Sequence, residues 1–395
     1  MPDTAPDAPA DPRPLAGLRV LDCATIVAGP FAACSLGEFG AEVLKVEMPG
    51  VGDPLRRLGT VSPAGDTWWW LSDARNKRSL PLDLRTPEGA ERFRALAAEA
   101  DVIVENFRPG TLDRWNLSYD GLREVNPGLI MLSVTGWGQT GPRRDLPGLA
   151  RIAEGYAGLT HLTGMPDGPP LLTGISALAD YVSGLYGAYG VMLALEARRK
   201  TGRGQRIDVA LFEGIWRFLD ELAPAYAGTG AVRGRMASET HRSVPHNSYE
   251  CRDGWIALAC ATDRMWVALA EAMGRPELGE DPRYATIAAR IARRGEVNGI
   301  VEDWARGCTR DEALAACARA GTPAGPIFDV AETMADAHLT ARDAVLRVAH
   351  PQLGEVAVPG VFPRLEETPG RLDGLGPPLA ERDDGRGWDP RPERR

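Results

Sequence analysis

At 395 residues, with 44% hydrophobic and 25% charged side chains, the chain has the composition of a folded globular protein of two or three structural units, which excludes a largely disordered chain. Acidic residues outnumber basic ones by 54 to 45, and the formal charge of −9 offers no general attraction to nucleic acid or to an anionic membrane surface. No apolar run approaches the ~20 residues that cross a bilayer, so a membrane-spanning protein is excluded as well.

In chain order, residues 1–14 are rich in Pro, Ala and Asp and read as a loose leader. They lack the basic-then-apolar order of a secretory signal, so the cytoplasm is the expected compartment. A strand is predicted over 18–21, a break at Ala28-Gly29-Pro30, a helix over 31–39 and a second strand over 43–46, closed by Glu47. This is a βαβ unit of a parallel sheet. A helix follows over 86–100, with Thr86 as N-cap, Pro87 at the first helical position and Glu88 and Glu91 close behind. Strands are predicted over 102–104 and 129–134. The most persuasive helix covers 178–199, where Val182, Leu185, Tyr189, Met192 and Leu193 fall at helical spacing, with Asp180 near the start and Arg198, Arg199 and Lys200 at the end. A strand over 206–211 and a helix over 212–222 complete an α/β half.

Beyond it, the Gly- and Arg-rich stretch 228–242 reads as a linker or mobile loop. A hairpin over 248–261, turning at Arg252-Asp253-Gly254, and helices over 264–273, 288–305 and 309–320 form a smaller α+β unit. Short strand patterns return over 344–362, and from Glu366 the Pro, Gly and mixed charge read as a loosely held tail. The predicted division is a leader 1–14, a large unit 15–225, a small unit 226–330, a return to the large unit over 331–365 and a tail 366–395.

Six cysteines, Cys23, Cys34, Cys251, Cys260, Cys308 and Cys317, show no CxxC spacing and no metal-type histidine grouping, so reduced buried thiols are expected and no metal site. No GxSxG phrase accompanies the histidines, and Trp68-Trp69-Trp70 reads as a core or contact stripe. The run from Gly136 to Gly141 matches GxGxxG after a predicted strand. A dinucleotide site needs the last glycine to open a helix, whereas residues 142–147 read as loop, which leaves a glycine loop approached by some other ligand. The cluster Arg75-Asn76-Lys77-Arg78, with Arg85, Arg108, Arg114, Arg143 and Arg144 in the same half, fits either solvated surface or a site for a multiply phosphorylated adenine nucleotide. Asp180 also has two readings: a carboxylate complementing a helix N-terminus, or an anionic nucleophile ionised near neutral pH.

An ordered series of phrases joins these observations: LRVLD (18–22) with AGP (28–30), GAEVLKVE (40–47) with Gly52-Asp53, NKRS (76–79) with LDL (82–84), VENFRPG (104–110), GWGQTGP (136–142), ADY (179–181) and TGRGQ (201–205). The series resembles the class III CoA-transferase family, which includes formyl-CoA transferase, carnitine CoA-transferase and the α-methylacyl-CoA racemases. It spans most of residues 15–211 and continues weakly through Asp253-Gly254 and Gly325-Pro326. The resemblance implies an α/β fold: a Rossmann-like large domain with a parallel sheet built from both chain ends, a smaller α+β domain, and two identical subunits interlocked as rings. It implies no tightly bound cofactor. Coenzyme A, or acyl-CoA as substrate, would lie along Ile26, Val27, Ala28, Leu82, Arg85, Asn106, Phe107, Arg114, Trp115, Gly136 and Gly138, with Asp180 facing the thioester.

The implied reaction moves CoA from a thioester to a small carboxylic acid. Asp180 attacks the donor to give a mixed anhydride, the released thiolate converts this to an aspartyl-CoA thioester, and an acceptor acid reverses both steps. Amides near Gly138 and Gly141 are expected to stabilise oxyanions, and the 228–242 loop to close the site. Val27 stands where formyl-CoA transferase has a glutamine, which argues against oxalate and formate. Where the racemases carry Gly-His-Asp this chain has Gly148-Leu149-Ala150, which cannot exchange a proton at an α-carbon and so favours transfer. The alternatives are a racemase or epimerase of 2-methylacyl-CoA type and a non-catalytic CoA-binding protein.

Overall fold

Six parallel strands organise the larger part of the chain: β1 (Arg19–Asp22), β2 (Glu42–Glu47), β3 (Lys77–Pro81), β4 (Val102–Glu105), β5 (Ile130–Thr135) and β6 (Arg206–Ala210), in the spatial order β3-β2-β1-β4-β5-β6. The computed structural model describes residues 11–380 and 387–389. These divide into two compact units, the larger holding the described residues up to Thr160, Leu172–Ala231 and those from Asp343 onward, the smaller holding His161–Leu171 and Val232–Arg342.

The central strands β1, β4 and β5 are buried along their whole length, as near-continuous apolar runs in a sheet covered on both faces should be. Successive side chains alternate between faces, so each strand feeds two cores. Val20, Val43, Val102 and Ile130 pack with the helices Ala28–Glu38 and Leu178–Thr201. Their neighbours Leu21, Leu44, Ile103 and Met131 pack with Phe93 and Leu96 of the helix Pro87–Glu99. That helix starts as predicted, with the Thr86 hydroxyl accepting the Gly89 N–H at 3.0 Å.

The helix Leu178–Thr201 turns an unexpected side to the sheet. Its buried face is small, with Ala179, Ser183, Gly184, Gly187, Ala188, Val191 and Ala194, while Leu185, Tyr189 and Leu193 are 57%, 58% and 53% exposed. The reason is close approach: a Cβ on Gly184 would stand 2.6 Å from the Ala28 carbonyl oxygen. The ~1 kcal/mol that a mid-helix glycine costs is offset by letting two backbones meet.

The expectation that both chain ends supply the parallel sheet is corrected. All six of its strands come from residues 19–210, and the later chain adds an antiparallel hairpin, β10 (Val345–His350) with β11 (Gly354–Pro359), as a separate sheet. The segment following it is held rather than loose. Arg371 N–H donates to Glu38 O at 2.8 Å, Gly376 N–H to Leu71 O at 2.9 Å, and the Trp388 indole to Leu96 O at 3.1 Å. Backbone bonding needs no apolar pattern, so Pro- and Gly-rich sequence concealed it.

In the smaller unit β7 (His246–Cys251), β8 (Gly254–Ala259) and β9 (Ala324–Ile327) form an antiparallel sheet. Arg290 is fully buried there, donating to Val244 O at 2.8 Å and Tyr284 O at 2.7 Å and pairing with Asp263 at 2.9 Å. The stretch expected to be a mobile loop is tied down within this unit: Arg235 donates to the carbonyls of His161 and Met165, and Arg294 pairs with Glu239 at 2.6 Å. All six cysteines are free thiols. Among the described residues no helix is long and apolar enough to cross a membrane, and no cluster of metal-ligating side chains occurs.

Candidate active site

Parallel strands present their carboxyl ends to one edge, and a reversal of strand order opens a crevice there. In this sheet the reversal falls between β1 and β4. Their two loops are clasped together, since Asn106 Oδ1 accepts the Thr25 N–H at 2.8 Å and its Nδ2 donates to Thr25 O at 2.7 Å. The next residue, Ile26, has φ +69°, a left-handed conformation that a β-branched side chain rarely adopts. Its N–H donates to Asp53 at 3.1 Å, and Asp53 pairs with the fully buried Lys45 at 3.0 Å. A long-range ion pair therefore holds the strained residue, and strain so over-determined is characteristic of ligand clamps.

Val27 and Ala28 follow, at the N-terminus of their helix, and Val27 packs in one cluster with Ala177, Trp70 and Leu71. This cluster brings the Ile26–Ala28 turn against the start of the Asp180 helix. The Phe31 and Tyr181 rings meet edge-on at 4.9 Å. Tyr181 donates to Asp73 at 2.7 Å, and the Trp69 indole reaches both, at 2.9 Å to Asp73 and 2.8 Å to the Tyr181 hydroxyl. Burial and the Asp73 carboxylate push the Tyr181 phenol far up, so it stays protonated as a donor. One residue before it, Asp180 is thus fixed from the backbone.

Asp180 does not cap its helix. The N-cap position is Ala177, without a side-chain cap, and no described residue hydrogen-bonds the Asp180 carboxylate. Burial, with the Glu154 carboxylate adding, pushes its pKa up to about 7. The Asp180 carboxyl, expected to be ionised near neutral pH, is thus held closer to its protonated form, because a partly buried carboxylate with no donor among the described residues loses hydration and gains nothing in exchange. A folded-state pKa above the unfolded value of 3.8 contributes stability at low pH that is lost as pH rises through about 7. Asp180→Asn is therefore expected to raise the melting temperature by several degrees at about pH 8 and hardly at all at about pH 4. Equal gains at both, measured by calorimetry, would contradict this placement.

The remaining predicted residues lie at the same strand ends. Leu82 is buried, its N–H donating to Glu47 O at 2.8 Å. Arg85 is exposed and paired with Asp83 at 2.8 Å. Phe107 and Trp115 meet edge-on at 5.1 Å, and Arg114 donates to Thr111 at 2.9 Å. Gly136 passes so close to Gly148 that a Cβ would lie 2.7 Å from its Cα. Gly138, at φ +85°, spends its N–H on Thr135 Oγ1 at 2.9 Å, and Gln139 spends its own on Asp208 at 3.0 Å. The Gly138 amide is thus committed within the turn rather than presented to an oxyanion. No helix opens at Gly141; the next begins at Ala150.

Sequence reasoning missed Lys45 and Asp53 as a pair, the Trp69–Asp73–Tyr181 triad, and Glu154. Lys45, Asp53, Trp69 and Tyr181 each lay within a conspicuous phrase, but nothing in those phrases paired them with one another. Glu154 stood as a single acid between Ala153 and Gly155, a pattern without signal.

A family model described as CoA-transferase family III matches residues 15–383. The chain is 51% identical to the succinyl-CoA–L-malate CoA-transferase beta subunit of Chloroflexus aurantiacus, over 93% of this chain and 92% of that one. It is 35% identical to a succinate–glutarate CoA-transferase of Agrobacterium fabrum, over 95% of each. Among solved structures, a CAIB/BAIF family protein from Brucella suis aligns with a TM-score of 0.84 and 36% identity, covering 93% of this chain and 97% of that one.

Proposed function

Because the chain belongs to CoA-transferase family III and is an acyl-CoA:carboxylate CoA-transferase, we propose that it moves CoA from succinyl-CoA to a small dicarboxylic acid such as malate or glutarate, with Asp180 as covalent nucleophile. The observation that carries this reading is the Asp180 carboxylate itself: at the start of a helix, partly buried, bound by no donor among the described residues and pushed up to about 7. A desolvated carboxylate of raised basicity is a better nucleophile than an exposed one. The relatives supply the acids, since both are named for succinyl or succinate chemistry with a second dicarboxylate.

Asp180 Oδ attacks the thioester carbonyl; the C–O bond forms, the C–S bond breaks and the electron pair leaves on the CoA thiolate. That thiolate attacks Asp180 Cγ, forming the aspartyl-CoA thioester and expelling the donor acid as its carboxylate. The acceptor carboxylate repeats the two steps in reverse. Charge passes from carboxylate to thiolate to carboxylate, so no step needs ATP or a metal. The CoA chain runs along Ile26, Val27, Ala28, Leu82, Asn106, Phe107, Trp115, Gly136 and Gly138, with Arg85 and Arg114 toward its phosphates. The Arg85–Asp83 pair is exposed and screened by solvent, so a phosphate can displace the carboxylate.

A second, identical subunit interlocked with the first covers the outward face of Leu185, Tyr189 and Leu193. Exposed large side chains in a row are supported more readily by a partner than by water. A related but different chain is the second reading, favoured by the word subunit in the name of the Chloroflexus aurantiacus relative.

Incubation with succinyl-CoA and isotope-labelled malate or glutarate, read by mass spectrometry, is expected to give the labelled acyl-CoA and free succinate in equal amounts. Hydrolysis of succinyl-CoA without labelled thioester would overturn the reading.

A further inference from the structure

Glu154 lies on the helix Ala150–Ala157, only 1% exposed and flanked by the core residues Ala150, Ala153 and Ala157. An unpaired acid is rarely buried so deeply. Its Oε1 accepts the N–H of Ala179 at 3.2 Å. Ala179 immediately precedes Asp180, and its helix has no capping side chain of its own. Glu154 therefore does from another element what an N-cap residue does locally. In doing so it sets a second carboxyl group beside the nucleophile.

We propose that Glu154 is a positioning residue that acts through Asp180. Its carboxylate, fixed on the Ala179 amide, repels the Asp180 carboxylate in the free enzyme and loses that repulsion whenever Asp180 is acylated. The proposal rests on the covalent reading above. When Asp180 becomes an anhydride or a CoA thioester its charge has left on the thiolate or the departing acid. The pair then carries one charge in place of two. Like charges in a desolvated site cannot both ionise freely, so the repulsion lifts the basicity of the nucleophile and favours its acylated forms.

The surroundings divide the two roles. Burial raises Glu154, while the Ala179 amide and Arg151 of its own helix favour its charged form. Asp180 has only burial and Glu154 acting on it, both upward. Groups that favour the charged form therefore act on Glu154, whereas both influences on Asp180 oppose its charge. Among the described residues, Glu213 and Arg217 of the helix Leu211–Arg217, packed on the Glu154 helix, shift neither carboxyl, and Asp73 is engaged by Tyr181.

Glu154→Gln keeps an oxygen for the Ala179 amide and removes the charge. In succinyl-CoA exchange with a labelled dicarboxylate, the acid limb of the pH–rate profile is expected to move at least roughly one unit toward acid, with a lower fraction of CoA-bearing Asp180 in the steady state. An acid limb that stays with the wild type, whether activity is kept or lost, overturns the proposal, because a purely structural role changes the rate without moving the limb. Should the Gln variant unfold in a thermal melt, Glu154→Asp, which retains the charge, is expected to keep the wild-type limb. A limb displaced toward acid in that variant overturns the proposal equally. Failure of the covalent reading is distinguished by the wild type, which then carries no CoA on Asp180 at any pH.

Discussion

Replacing Asp180 with Ala is expected to abolish CoA exchange, with a loss on the order of 10⁴-fold in kcat and little change in the binding of free CoA. The size follows from the absence of a substitute. Glu154 is the adjacent carboxyl group, but it is buried and committed to the Ala179 N–H. Water could attack a bound thioester without Asp180, yet water gives hydrolysis and cannot return an acyl group to CoA. The variant should therefore lose exchange far more completely than hydrolysis. The fold should survive, because Asp180 neither caps its helix nor accepts a hydrogen bond from any described residue. A near-native exchange rate in the folded variant, measured with labelled acceptor, would remove Asp180 from the reaction.

The second large effect concerns stability. Asp53 is 3% exposed and accepts the N–H groups of Leu55 at 2.8 Å and Ile26 at 3.1 Å while pairing with Lys45 at 3.0 Å. Lys45, fully buried, also bonds the Ala24 carbonyl, but its other carboxylate, Asp22, stands 3.8 Å away and is closer to Lys77 at 2.8 Å. Burial alone would raise Asp53; the Lys45 ammonium and the two amides outweigh it and hold the carboxyl below its usual range. Asp53→Ala leaves a buried cation half-compensated, a loss of about 3–5 kcal/mol. It also frees Ile26 from the conformation it holds at φ +69°. Chemical denaturation should report the destabilisation, and the KM for the CoA donor should rise with it. This contribution is present above the unfolded Asp value of 3.8 and disappears as pH falls through the depressed folded value, so wild type and variant should converge in acid. A gap that persists undiminished there would mean that the Lys45 pair is not its source.

Much of the parallel sheet was legible, because period and punctuation are local. The strand over 43–46, the Thr86 cap and the 178–199 helix needed only neighbouring residues; the structure extends the strand and the 178–199 helix by a residue or two and keeps Thr86 as the cap. The family was legible from the order of short phrases. What was hidden depends on partners distant in sequence. Ile26 is strained because of Asp53, 27 residues on. The start of the Asp180 helix is capped by Glu154, 25 residues earlier than the amide it serves. The side chains of the 178–199 helix were readable as a period but not as a face, because its large residues are left outward and its glycines meet another backbone. Asp180 was expected to be an ordinary ionised acid, since neither burial nor a missing donor can be seen in one letter.

The most direct measurement is of mass at one side chain. Wild-type protein mixed with succinyl-CoA, quenched in acid and digested, is expected to yield the peptide containing residue 180 with coenzyme A attached, and to release it when an acceptor dicarboxylate is added before the quench. Sustained exchange with that peptide unmodified, or with coenzyme A on a different residue, would contradict the assignment of Asp180 as the group that carries the thioester.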